Sequence, residues 1–64
     1  MTAAEIGQRV VKARKQARLT QVQLAELAGL SDRTVREIEH GSGSPALGSV
    51  LEVLDVLGLE IEVR

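Results

Sequence analysis

The absence of phenylalanine, tyrosine, tryptophan and cysteine limits how this 64-residue chain can fold. A chain of this length is near the lower size at which a core is stable without cross-links. The lack of cysteine rules out disulfides and thiolate metal sites. The core must therefore be built from leucine, isoleucine, valine and alanine side chains, and it must be small. Chains of this kind often gain stability by burying further surface in an oligomer.

The charges are distributed unevenly along the chain, although the formal net charge is only −1. Residues 1–48 carry seven Lys and Arg against five Asp and Glu, whereas residues 49–64 carry one Arg against four acidic residues. Five of the basic residues fall within ten positions: Arg9, Lys12, Arg14, Lys15 and Arg18. A basic cluster fits a solvated helix face as well as a surface that binds a polyanion. Charge alone therefore leaves both interpretations open.

The spacing of apolar residues predicts a helix near each end of the chain. Apolar positions recur at helical intervals over residues 4–18 and again over residues 46–57. The segment 41–45 between the third helix and the last reads as a loop, and Pro45 suits the first turn of the helix that follows. The predicted apolar stripe of this last helix consists of Leu47, Val50, Leu51, Leu54 and Leu57.

Two short helices are predicted between these, separated by a glycine. Thr20 begins a capping box with Gln23, which starts a second helix over 21–28. Gly29 ends this helix because glycine adopts the left-handed conformation without strain. Ser31 is a suitable N-cap for a third helix over 32–40. The side chains that we expect the second helix to bury are those of Leu24, Leu27 and Ala28.

The last residues change from a helical to an alternating pattern. Residues 59–64 alternate apolar and charged side chains, which predicts a short strand. A lone strand has no partner in the same chain, so it is either a frayed tail or pairs with its copy in a second subunit. The apolar arc of the fourth helix is also wider than a four-helix core requires, which favours a two-fold interface. The predicted dimer-interface residues are Val53, Val56, Leu57, Leu59, Ile61 and Val63.

The third helix carries the residues that point most clearly to a function. At 100° per residue, Val35 and Ile38 lie on one side, and the long polar side chains, among them Arg33 and Arg36, lie on the other. Two helices joined by a glycine-containing turn, with polar side chains on the second, form a helix-turn-helix. Such a helix fits the DNA major groove, where arginine can donate to guanine O6 and N7. The alternative is that Asp32–Arg36 and Arg33–Glu37 are ordinary i,i+4 pairs of an exposed helix.

The stretch LTQVQLAELAGLSDRTVREIEHG, from Leu19 to Gly41, resembles the repressor family typified by lambda and 434 repressors, often called the Xre family. With the first helix and the apolar positions of the fourth, the resemblance covers nearly the whole chain. It implies an all-α domain of four to five helices over residues 1–64. In this domain 20–41 would form the helix-turn-helix, and 46–64 a dimerisation helix and strand.

The resemblance assigns DNA contacts to particular residues. The positions from which bases would be read are Ser31, Asp32, Arg33, Arg36 and Glu37, and those that would contact the DNA backbone are Gln21, Gln23, Thr34 and His40. We expect Arg33 and Arg36 to contribute most. For His40 the alternative to a DNA contact is a capping or surface position.

Two acidic residues of the third helix depart from the family pattern. Asp32 and Glu37 replace the amides and small polar residues usual in the family, and would either accept from cytosine N4 or orient the arginines. By contrast, Arg14 and Glu39 fall where these repressors place an ion pair between the first and third helices, so that pair would be structural.

The ending SPALGSVLEVLDVLGLEIEVR resembles HipB-type antitoxins within this family. That resemblance implies a C-terminal strand paired across a homodimer, an inverted-repeat operator before its own operon, and a HipA-like kinase toxin as partner. The predicted function is a sequence-specific repressor, the antitoxin of a type II toxin–antitoxin operon. We expect it to be cytoplasmic and associated with the bacterial nucleoid.

Enzymes and pure interaction modules are the competing classes of function. Residues 41–46 match the G-x-G-x-x-A dinucleotide fingerprint but follow a helix rather than a strand, with no βαβ unit around them. With one histidine and no cysteine, we expect no catalysis, no metal site and no cofactor. An Xre-type repressor without a toxin stays open, as does an interaction module that has lost DNA binding. The sequence pI of 5.7 and the acidic side chains of the third helix are what keep the interaction module open as an alternative.

Overall fold

The structure, a computed structural model, describes residues 1–63. Within these residues the chain forms four helices: α1 (Ala3–Gln16), α2 (Gln21–Ala28), α3 (Asp32–Glu39) and α4 (Leu47–Val56). Helix α3 packs against α1 and α2, and α4 packs against α2 and α3. The predicted all-helical fold is confirmed for these residues. None of the described helices is long and apolar enough to cross a membrane.

Helix α1 ends two residues earlier than predicted, at Gln16 rather than residue 18. Its start is capped by the Thr2 hydroxyl, which accepts from the Glu5 N–H at 3.1 Å. Arg18 has a φ of 59°, a left-handed conformation that reverses the chain after the helix. The turn is held because Arg14 Nη1 donates to the Leu19 carbonyl at 2.9 Å.

Helix α2 has the predicted boundaries, and both of its predicted ends are confirmed. The Thr20 hydroxyl accepts from the Gln23 N–H at 3.0 Å, and the Gln23 side chain accepts from the Thr20 N–H at 2.9 Å. Gly29 follows with a φ of 70°. Ser31 is the N-cap of α3, as predicted, and α3 is one residue shorter than predicted because His40 is its C-cap.

The core is small and aliphatic. Leu27, predicted to be buried, is 62% exposed, and Ala25 is buried in its place. Positions 25 and 27 lie on opposite sides of Leu24 and Ala28 around the helix, and α2 turns the side with Ala25 towards the core. The buried residues are Val10, Leu24, Ala25, Ala28, Val35, Ile38, Val53 and Leu54.

Gly7 allows the backbones of α1 and α3 to approach closely. A Cβ atom at this position would lie 2.5 Å from the Ile38 carbonyl oxygen and 2.7 Å from that of Glu39. These are backbone atoms, so no side-chain rotation could relieve the overlap. The end of α3 is therefore placed directly on the surface of α1.

Helix α4 begins at Leu47, with Ala46 as its N-cap, so Pro45 precedes the helix and the prediction that it lies in the first turn is wrong. The buried face of α4 is also turned relative to the predicted stripe. Val53 is 0% exposed and belongs to the core of its own chain, whereas Leu47 and Leu51 are exposed. Val53 therefore has no surface left for a second subunit, which corrects its assignment to the dimer interface.

The chain after α4 turns at Gly58, and residues 59–63 form no strand in the structure. A strand needs a hydrogen-bonded partner, and the rest of the described chain is helix and loop. Leu59 and Ile61 instead pack against the core, whereas Val63 is 91% exposed. Arg64, the last residue of the predicted strand, lies outside the described residues.

Candidate nucleic-acid interface

Helix α3 has one buried and one exposed face. Val35 and Ile38 are buried against α1 and α2. Arg33 and Arg36, which we predicted to read bases, extend from the exposed side. The side chain of Arg33 is 81% exposed and that of Arg36 is 55% exposed. Two guanidinium groups are thus presented to solvent on a helix whose other side is fixed in the core.

Each of these arginines is paired with a carboxylate one turn away. Arg33 Nε donates to Glu37 Oε1 at 3.0 Å, and Arg36 Nη1 donates to Asp32 Oδ2 at 3.0 Å. Asp32 and Glu37, also predicted base-reading residues, therefore hold the arginines in the free chain. Exposed pairs of this kind contribute little to stability, about 0.3–0.5 kcal/mol each. Their larger effect is on where the arginines point.

The start of α3 is closed by its own cap. The Ser31 hydroxyl accepts from the Thr34 N–H at 3.2 Å, and the two hydroxyls lie 3.0 Å apart. Ser31, a predicted base-reading residue, and Thr34, a predicted backbone contact, are thus joined in one local arrangement. His40, at the other end, is exposed and serves as the C-cap.

One carboxylate joins the first three helices beneath this surface. Glu39 accepts from Arg14 Nε at 2.6 Å and from Arg14 Nη2 at 3.2 Å, so the predicted ion pair is present and bidentate. Glu39 also accepts from Gln21 Nε2 at 3.0 Å. The side chains of Arg14 and Glu39 are 12% and 6% exposed. The pair fixes how α2 and α3 sit on α1.

The two glutamines predicted to contact the DNA backbone are partly used within the chain. Gln21 gives one amide donor to Glu39, and Gln23 gives its carbonyl oxygen to the capping box of α2. The remaining amide groups lie at the start of α2.

The sequence matches the helix-turn-helix family over residues 10–63. The chain belongs to this helix-turn-helix family. Two relatives support this. It is 41% identical over 56 residues to the immunity repressor protein of Bacillus phage phi105, a match that covers 88% of this chain and 39% of the relative. It is 39% identical over 62 residues to an uncharacterized HTH-type transcriptional regulator, y4mF, of Sinorhizobium fredii, covering 97% of this chain and 82% of the relative.

These relatives differ in length. The helix-turn-helix chain spans about two fifths of the phage repressor and most of the Sinorhizobium regulator. The predicted family is confirmed at this level, and the finer resemblance to HipB-type antitoxins stays a prediction.

The sequence predicted a loop after the helix-turn-helix, but it did not predict the contact of this loop with α3. Ser44 Oγ donates to Glu37 Oε2 at 3.3 Å, and the Ser42 and Ser44 hydroxyls lie 2.8 Å apart. The loop is therefore tied to the exposed side of α3. The only signal in the sequence was two serines spaced around a glycine, which is too common to predict a contact seven residues away.

Proposed function

We propose that this chain is a sequence-specific DNA-binding transcriptional repressor that places α3 in the major groove. The observation that carries the proposal is the pair Arg33 and Arg36, exposed on the second helix of a helix-turn-helix whose opposite face is buried. An α-helix fits the major groove, and the arginine fork matches O6 and N7 of guanine. The names of the matched relatives, a repressor and a transcriptional regulator, agree with this function.

The contacts of Arg33 favour a particular way of reading guanine. Its Nε is occupied by Glu37, and both Nη groups are left without a partner among the described residues. The arginine would then approach guanine end-on, with two parallel hydrogen bonds from its Nη groups. Ser31, Thr34 and the free amide groups of Gln21 and Gln23 would lie beside the phosphates and set the register of the helix.

We further propose that the chain acts as a homodimer on an inverted repeat. Its support is the number of large apolar side chains that are about half exposed or more among residues 1–63: Met1, Val22, Leu27, Leu47, Leu51 and Val63. Four of these side chains lie on α2 and α4, two helices that pack against each other. Exposed apolar side chains that lie near one another on a small domain commonly mark an interface. In such a dimer, residues 59–63 of the two copies would pair as strands, as their alternating pattern predicts. Two α3 helices would then enter successive major grooves, about 10 base pairs apart, and a bound promoter would exclude polymerase.

The antitoxin role is the most specific part of the proposed function. It rests on the resemblance of residues 44–64 to HipB-type antitoxins, and its partner would be a HipA-like kinase. The test is gel filtration of the purified chain with a HipA-like kinase, for which the first candidate is any such kinase encoded beside this chain. A joint peak is expected, and separate elution of both proteins would leave a repressor without a toxin.

The first experiment on DNA binding is selection of bound duplexes from a random library at two salt concentrations. The Arg33→Ala/Arg36→Ala variant is run beside the wild type. We expect the wild type to enrich an inverted repeat with half-sites one helical turn apart, with binding that weakens as salt rises. If nothing is enriched and binding is insensitive to salt, the chain is a protein-interaction module instead.

A further inference from the structure

We infer that Asp32 and Glu37 are positioning residues that keep Arg33 and Arg36 directed at bases and away from the phosphates of unrelated DNA. This inference rests on the proposed function and extends it, because it concerns how strongly the chain distinguishes its own site from other sequences. The two carboxylates would thereby determine specificity without being its main readers.

The charge of the helix-turn-helix region supports this role. Residues 20–46 contain two arginines and four acidic residues. Non-specific binding to DNA depends almost entirely on cations that neutralise phosphates and release counterions. With Arg33 and Arg36 each paired to a carboxylate, the helix-turn-helix has no unpaired arginine or lysine to offer a phosphate among its described residues. The free chain therefore has little to attract an arbitrary duplex at this surface.

Glu37 is itself held in place by the loop that follows α3. One of its oxygens accepts from Arg33 Nε, and the other accepts from Ser44 Oγ. Its side chain is 35% exposed against 81% for Arg33, so the carboxylate is fixed to the protein and the arginine projects from it. The loop serine thus stabilises the orientation of the arginine through the carboxylate.

The geometry gives different results on cognate and non-cognate DNA. On a cognate duplex, Arg33 can keep its bond to Glu37 and donate from its Nη groups to guanine. On an unrelated duplex, an arginine that turns to a phosphate must leave its carboxylate. That carboxylate is then left close to the phosphate, and like charges in proximity are unfavourable. The ion pairs are therefore compatible with the specific complex, whereas they must break when the arginines bind phosphates of unrelated DNA.

The test compares Asp32→Asn/Glu37→Gln with a control of the same charge change, Glu52→Gln/Asp55→Asn on the exposed side of α4. Two probes are used: the duplex selected by the wild type, and a mixed-sequence duplex of about 30 base pairs, long enough for two half-sites one turn apart. We expect the first variant to bind the mixed duplex about tenfold more tightly than the wild type, with a salt slope steeper by about one for each freed arginine. Its affinity for the selected duplex should rise less or fall, so the specificity ratio drops.

The outcomes separate this inference from the proposed function. A wild type that selects no sequence would overturn both. A wild type that selects a sequence, with both variants showing the same specificity ratio, would overturn the inference alone and reduce the effect to net charge. Ser44→Ala, which removes only the hydroxyl that holds Glu37, should lower the ratio in the same direction by a smaller factor. Far-ultraviolet circular dichroism of every variant checks that the helices are intact.

Discussion

Glu39 shows how much one side chain can determine in a chain without aromatic residues. It accepts from the Arg14 guanidinium and from the Gln21 amide, so a single carboxylate connects α1, α2 and α3. Because both charges are nearly buried, each depends on the other for compensation. Removing one of them leaves the other in a poorly solvated place.

We predict that Glu39→Gln lowers the free energy of unfolding by about 3 kcal/mol, because it leaves the Arg14 charge uncompensated. Urea unfolding followed by circular dichroism measures this. The control is Glu37→Gln on the same helix, a partly exposed carboxylate whose partner Arg33 is in solvent, which should change stability by less than about 0.5 kcal/mol. Equal unfolding midpoints for the two variants would contradict the structural role of the pair, as would no recovery of stability in Arg14→Met/Glu39→Met.

Arg33 and Arg36 give the corresponding prediction for binding. Either alanine variant should weaken binding to the selected duplex by about 1–3 kcal/mol and relax the preference at particular base pairs. Lys12→Ala, which removes a charge from the exposed side of α1, should leave the base preference unchanged. Titration of single-base variants of the duplex measures both effects. If Arg33→Ala and Arg36→Ala discriminate among these duplexes as the wild type does, the readers lie elsewhere.

At the scale of the helices, the sequence predicted the ends better than the faces. Thr20, Gly29 and Ser31 act through hydrogen bonds and dihedral angles of their immediate neighbours, so their effect can be read locally. Which face of α4 is buried depends on where the other helices lie, and neighbouring apolar arcs around one helix satisfy the same periodicity. This is why the predicted stripe includes Leu51, which is exposed in the structure, and the predicted interface includes Val53, which is buried.

The candidate site also contains contacts that depend on local spacing and one that depends on the tertiary fold. The exposed position of Arg33 and the pairing of Asp32 with Arg36 follow from helical spacing within one segment. The contact between Ser44 and Glu37 depends on how the loop returns after α3, and nothing in the spacing predicts it.

The turn between α2 and α3 supports a prediction on stability. Gly29→Ala should lower the free energy of unfolding by about 1 kcal/mol, because an L-residue is strained at a φ of 70°. Gly48→Ala is the matched control within α4, where a methyl group meets no atom within 4 Å and alanine favours the helix. It should raise stability by about 0.5–1 kcal/mol. Thermal unfolding measures both, and changes of the same sign would contradict the role of the left-handed glycine.

At the scale of the whole molecule, the exposed apolar side chains and the alternating pattern of residues 59–64 both bear on whether the chain dimerises. Deletion of residues 59–64 should weaken the proposed homodimer, because it removes the only segment with an alternating strand pattern. Sedimentation equilibrium measures the dissociation constant. Unchanged dimerisation would place the interface elsewhere, on the exposed leucines of α2 and α4.

The deletion also removes packing from the core, so a finer variant is needed. Because Ile61 packs against the core, Ile61→Ser should lower the free energy of unfolding. Val63 is exposed, so Val63→Ser should weaken the dimer and leave unchanged the free energy of unfolding measured at concentrations where the chain is monomeric. A loss of stability in Val63→Ser would show that the tail supports the fold rather than the interface.

The contact at Gly7 has a consequence for which sequences can keep this architecture. In a helix interior, alanine is more stable than glycine by about 1 kcal/mol. Selection for the stability of α1 alone would therefore replace Gly7. A Cβ there would overlap two carbonyl oxygens of α3. In a saturation library selected for DNA binding, position 7 should therefore accept glycine alone, whereas position 48 should accept most residues. Sequences that keep this architecture can therefore vary at many exposed positions outside the DNA-contacting residues, but they must keep glycine at position 7.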